Sequence, residues 1–97
     1  MFIRITDGAP ELVDAFNFNA FHVERGGLAT TDILGALGDK ALAGDDEHVW
    51  LSAIGVAELA GVQAAGEWIT KFDGMCQYAE SKGWMNEAGT HIRAHLE

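Results

Sequence analysis

Basic residues are scarce in this chain of 97 residues: six Lys and Arg stand against fifteen Asp and Glu, a formal net charge of −9. Nucleic-acid binding draws most of its affinity from cations that neutralise phosphates. Arg4, Arg25, Lys40, Lys71, Lys82 and Arg93 are scattered singly, and the field of the whole chain repels a polyanion. No nucleic acid and no anionic membrane surface is therefore expected as a partner. Cysteine is nearly absent. Cys76 stands alone, which excludes a disulfide scaffold within the chain and suits a cytoplasmic location.

Recognisable catalytic and cofactor motifs are missing too. The only serines, Ser52 and Ser81, lie in no Gly-x-Ser-x-Gly elbow. The glycines form no Gly-x-Gly-x-x-Gly and precede no Lys-Ser/Thr, and there is no Cys-x-x-Cys or His-Glu-x-x-His. No cofactor and no metal is expected. Long apolar runs are interrupted. Met1 to Ile5 is cut off by Asp7, Gly8 and Pro10, too early for a secretory signal. Val49 to Gly66 contains Glu58 and Gln63, which belong in a protein core rather than in hydrocarbon.

What is present is ordinary globular composition, 48% apolar and 22% charged, enough for one domain spanning residues 1–97. A helix is predicted over about Ala64 to Lys82. Trp68, Ile69, Phe72, Met75, Cys76 and Ala79 share one 3.6-period stripe, Glu67 precedes Lys71 by four, and Gly83 supplies a left-handed stop. A second helix is predicted over Pro10 to Glu24, with Asp7 or Gly8 as cap, against the strand-like alternation Phe16-Asn17-Phe18-Asn19. A third runs from Thr30 or Thr31 to about Leu42, weakened by Gly35 and Gly38.

His48 to Ile54 reads as a buried strand carrying Trp50, although Asp45, Asp46 and Glu47 would also suit a helix start. Thr90 to Leu96 alternates, with Ile92, Ala94 and Leu96 inward and His91, Arg93 and His95 outward, after the turn-forming Asn86 to Gly89. Met1 to Ile5 adds an edge strand. The fold class is thus a small α+β domain with helices packed on one face of a short sheet. The alternative is an all-α bundle in which 45–61 and 86–97 are helices. Leu-Glu at a chain end is also a common expression-vector remnant; if Leu96 and Glu97 are one, the last strand is shorter.

His91 and His95 point the same way on either a helix or a strand. On a strand they stand about 13 Å apart, too far for one metal ion. The row His91-Arg93-His95 is instead the candidate ligand site, three groups able to hold a small anionic ligand or a carboxylate of a partner. Cys76 belongs to the apolar stripe and reads as structural. Asp45-Asp46-Glu47 lacks the ligand spacing of a calcium loop. On a helical wheel of about 100° per residue, Phe16, Phe18 and Phe21 fall near 0°, ~200° and ~140°, so a helix bearing them is buried on two sides. Its second face then sits centrally in the fold or meets another subunit. Trp84, just past the helix-ending Gly83, covers the core edge or anchors an interface.

Phe18, Phe21 and Trp84 are accordingly the candidate interface residues. The function expected from these features is association, as a homodimer or with a protein partner, without catalysis. The alternative is a small-ligand-binding protein or enzyme with an aromatic-lined pocket and a His/Arg polar cluster.

Overall fold

The computed structural model describes residues 1–97, with every side chain except that of Val62. Strands β1 (Phe2–Thr6) and β2 (Ala9–Val13) form an antiparallel hairpin in which Thr6 pairs with Ala9, leaving Asp7 and Gly8 as the turn. Both take positive φ, 51° and 78°, the geometry of a type I′ turn, for which Asp-Gly is among the preferred sequences. The helix expected over Pro10 to Glu24 is therefore absent. The Asp-Gly pair is a hairpin turn rather than a helix cap, and Pro10 sits in an edge strand, where a missing N–H is tolerated. Asp14, at φ 57°, ends β2. The chain then runs irregularly to β3 (His22–Glu24).

Helix α1 (Thr30–Leu37) is shorter than predicted. Gly38 takes φ 57° and its N–H closes on the Leu34 carbonyl, a glycine stop. A 3-10 turn (Gly38–Lys40) then leads into β4 (Ala41–Gly44). Strand β5 (His48–Ser52) confirms the strand expected there but stops at Ser52, whose hydroxyl accepts the Gly55 N–H at 3.0 Å and caps α2 (Ala53–Ala60). Trp50 faces away from the core and is half-buried, so the strand is buried on one face only and not on both.

Helix α3 (Glu67–Ser81) carries the predicted stripe at Trp68, Phe72 and Ala79, all buried, with the Glu67–Lys71 ion pair at 3.0 Å. Ile69 falls off the stripe and is 37% exposed. Gly83, at φ 77°, is the stop. Strand β6 (His91–Leu96) alternates as predicted: Ile92, Ala94 and Leu96 are buried. Of the two segments that the all-α alternative makes helical, 45–61 holds β5 followed by the helix α2, and 86–97 holds β6.

The α+β class is observed, with a six-stranded mixed sheet in the order β2-β1-β3-β6-β5-β4. The β1–β3 and β3–β6 pairs are parallel and the rest antiparallel. β1 is internal, so the edges are β2 and β4 rather than the N-terminal strand. Helix α1 packs against both of those edges, and α2 against β2 and β5, so the sheet curls. The core fills the curl: Ile3, Val23, Val49, Leu51, Ile92, Ala94 and Leu96 from strands meet Ile33, Leu37, Val56, Trp68 and Phe72 from helices. Among the described residues no helix is long and apolar enough to cross a membrane.

Candidate functional site

Strand β6 shares one of its edges between two segments. Its C-terminal half pairs with β3 (His22 with His95, Val23 with Leu96). Its N-terminal half pairs with the short stretch after α3: Met85 bridges Ile92, and the Arg93 N–H donates to the Trp84 carbonyl at 2.8 Å. Between these segments the sheet splits, and α3 passes behind the gap. The result is a half-open cleft of about 560 Å³, lined chiefly by Phe18, Phe21, Met75, Tyr78, Trp84 and Arg93.

The irregular segment between β2 and β3 forms one wall, and three contacts hold it. The Met1 amine donates to the Asn17 and Ala20 carbonyls. Burial pushes the pKa of that amine down from its ordinary value, against an opposing pull from Asp14. The buried Trp68 indole donates to the Ala15 carbonyl at 2.8 Å. Phe18 tilts against Trp68 with ring centroids 6.0 Å apart. On the opposite wall, Tyr78 and Trp84 meet edge to face at 6.1 Å.

The structure thus brings the three candidate interface residues, Phe18, Phe21 and Trp84, to one concave site. Phe18 and Phe21 do so from the irregular segment between β2 and β3 and Trp84 from the stretch after α3, so the two-sided helix invoked for Phe16, Phe18 and Phe21 is corrected. Phe16 is 60% exposed and lies outside the cleft. The sequence reading missed Met75 and Tyr78 as lining residues. Their spacing of three along α3, which puts them on one side of the helix, is the signal that points to them.

The candidate ligand residues are separated by their surroundings. Among the described residues, Arg93 is the only charged one lining the cleft. His91 is tied locally: its Nδ1 lies 2.8 Å from the Thr90 hydroxyl, and its N–H donates to Asn86 Oδ1 at 2.9 Å. His95 meets His48 edge to face, with centroids 4.4 Å apart. Among the described residues, no three His, Cys, Asp or Glu side chains come close enough to share one metal ion.

Cys76 is half-buried against the core. Burial, reinforced by Asp73, pushes its thiol up to about 11, the opposite of what a nucleophile needs. At pH 8 its thiolate fraction is expected to be roughly 100-fold below that of an ordinary thiol. Iodoacetamide should therefore label the folded protein slowly and the urea-unfolded protein fast; equal rates would show an accessible, unperturbed thiol. The same shift means that the folded form holds this proton longer than the unfolded form. Its contribution to stability is complete below the ordinary value of 9.0 and is lost as pH rises through about 11.

Asp45, in the turn between β4 and β5, accepts the Glu47 and His48 N–H groups on Oδ1, both at 2.8 Å. These two bonds hold its carboxyl below the ordinary range, with smaller help from His48 and Arg93. The contribution of Asp45 is present above the ordinary carboxylate value and lost as pH falls through the depressed one. Asp45→Ala should lower the melting temperature at neutral pH, with the deficit shrinking as pH falls through the depressed value, and Asp45→Asn, which keeps the acceptor, should lower it less. A pH-independent deficit would show that the charge plays no part.

Compared with models of protein families, with curated proteins and with solved structures, the chain finds no match in any of the three.

Proposed function

We propose that this protein works by association rather than catalysis, and that its cleft beside β6 receives a small apolar molecule. The observation that carries this reading is the convergence of Phe18, Phe21, Met75, Tyr78 and Trp84 on about 560 Å³ of half-open space. Small-molecule sites run from ~300 to ~1,000 Å³ and pair apolar walls with few polar groups. The raised Cys76 thiol and the locally bonded His91 support a role without catalysis.

A neutral flat probe, 2-naphthamide, tests the cleft. Titrated into the full chain and followed by amide NMR shifts, it should move Phe18, Phe21, Met75 and Trp84 together. Phe21→Ala and Trp84→Ala should each weaken it by about tenfold, ~1.4 kcal/mol. Shifts scattered over the surface, or affinity unchanged in both variants, would remove the reading.

A second reading is a homodimer, and one observation favours it. The faces of β3, β5 and β6 turned from the core hold Trp50 and Arg93 in register, with Glu24, the only carboxylate in these strands, already paired to Arg4 at 2.8 Å. Two copies of a chain at −9 approach with least repulsion there. Native mass spectrometry at twice the chain mass, abolished by Trp50→Glu, would establish it, and a monomer at all concentrations would discard it.

A further inference from the structure

All four histidines of the chain stand on one face of the sheet. β3, β5 and β6 turn Val23, Val49, Leu51, Ile92, Ala94 and Leu96 into the core. The residues between them, His22, His48, Trp50, His91, Arg93 and His95, therefore point the other way. The register sorts these into rows. His48 is opposite His95, which is opposite His22 on the next strand. One step along β6, Arg93 is opposite Trp50 on one side and Trp84 on the other. Arg93 thus lies between two tryptophans, one of which is a wall of the cleft.

The charge around this row differs from that of the rest of the chain. β3, β5 and β6 carry a single carboxylate, Glu24, and it is bonded to Arg4. Of the carboxylates at the margin, Glu97 lies 3.1 Å from His22 and Asp45 3.8 Å from His48. Among the described residues Arg93 has no ion-pair partner within bonding distance, although its charge reaches Asp45. On a molecule of net charge −9, an anion meets here a guanidinium with no bonded carboxylate, on a residue that lines an aromatic cleft.

We infer that the ligand of the cleft is a planar aromatic monocarboxylate, its ring against Trp84, Phe18 and Phe21 and its carboxylate on Arg93. This rests on the cleft reading above. A guanidinium offers a carboxylate a planar, two-pronged donor set. One guanidinium balances one negative charge, and the acidic remainder of the molecule disfavours a dianion such as a phosphate monoester. A neutral ring fills the same walls but leaves Arg93 unused.

The test compares 2-naphthoate with the isosteric, neutral 2-naphthamide on the full chain by isothermal titration calorimetry. 2-Naphthoate should bind at least about tenfold tighter. Arg93→Gln should erase that preference while leaving 2-naphthamide unchanged, and Arg4→Gln, which removes a cation from the same face, should preserve it. Circular dichroism confirms the fold of each variant. Equal affinity for the two probes overturns the inference but leaves the cleft reading intact. A preference that survives Arg93→Gln, or disappears equally in Arg4→Gln, also overturns it. Failure of both probes to bind overturns the cleft reading and the inference together.

Discussion

Trp68→Ala is expected to cost about 3–5 kcal/mol, the range for deleting a large buried aromatic. Trp68 is 1% exposed, stacks on Phe72 with centroids 4.8 Å apart, and supports Phe18 at 6.0 Å. It also holds the irregular segment after β2 by donating to the Ala15 carbonyl, 53 positions away in sequence. Domains of this size have roughly 5–15 kcal/mol of stability, so much of the population should be unfolded in mild urea. Trp68→Phe separates the two contributions. It keeps a stacking ring but strands the Ala15 carbonyl, whose lost partner costs about 1–3 kcal/mol. Urea midpoints compare the variants with the parent. If Trp68→Ala shifts the midpoint no more than Trp68→Phe, the stacking against Phe72 and Phe18 contributes little.

The same residue links the core to the cleft. Phe18 lines the cleft on one side and packs against Trp68 on the other, so a variant loosened at Trp68 should lose probe affinity even where it stays folded. Trp84, in contrast, is 39% exposed, and its removal should affect binding more than stability. The fold and the site thus share the wall built by the segment between β2 and β3, and differ in the wall built after α3.

How much of this was legible in the sequence depends on how local each cause is. The alternation over β6 and the stripe on α3 are set by one element facing one core, and both could be read directly. The hairpin turn was equally local. Asp7-Gly8 carried the signal, but the same pair also suits a helix cap ahead of Pro10, and no helix follows it. α2 is covered only by the all-α alternative, because its cap, Ser52, lies inside an apolar run continuous with β5. The site was legible as names and not as a place. Phe18, Phe21 and Trp84 were identifiable as aromatics lacking a simple core position. Their convergence requires β6 to pair with β3 at one end and with Met85 at the other, and only the topology determines that. The row of Trp50, Arg93 and Trp84 likewise depends on register across segments far apart in the chain.

Gly44→Ala should produce the second large effect, and its cause lies in the same sheet. Gly44 closes β4 at a register irregularity between Ala41 and Gly44, where β4 pairs Gly44 with Val49. A Cβ built there falls 2.7 Å from the His48 carbonyl oxygen and 2.7 Å from Val49 Cγ1, with the Thr30 methyl at 3.3 Å. The Val49 side chain is fully buried and the carbonyl belongs to the backbone, which accepts the Asp45 N–H at 2.9 Å, so neither can yield cheaply. Overpacking of this kind costs typically ~1–3 kcal/mol. It should also disturb the turn that positions His48 and Asp45. Gly35→Ala is the matched control: that glycine lies inside α1 with no atom within 4 Å of a built Cβ. There the methyl should stabilise by about 0.5–1 kcal/mol through helix propensity alone. Opposite shifts of the urea midpoint for the two substitutions would establish that close approach at Gly44, and not glycine content in general, sets the requirement. Parallel shifts would show that β4 relaxes away from β5 without penalty.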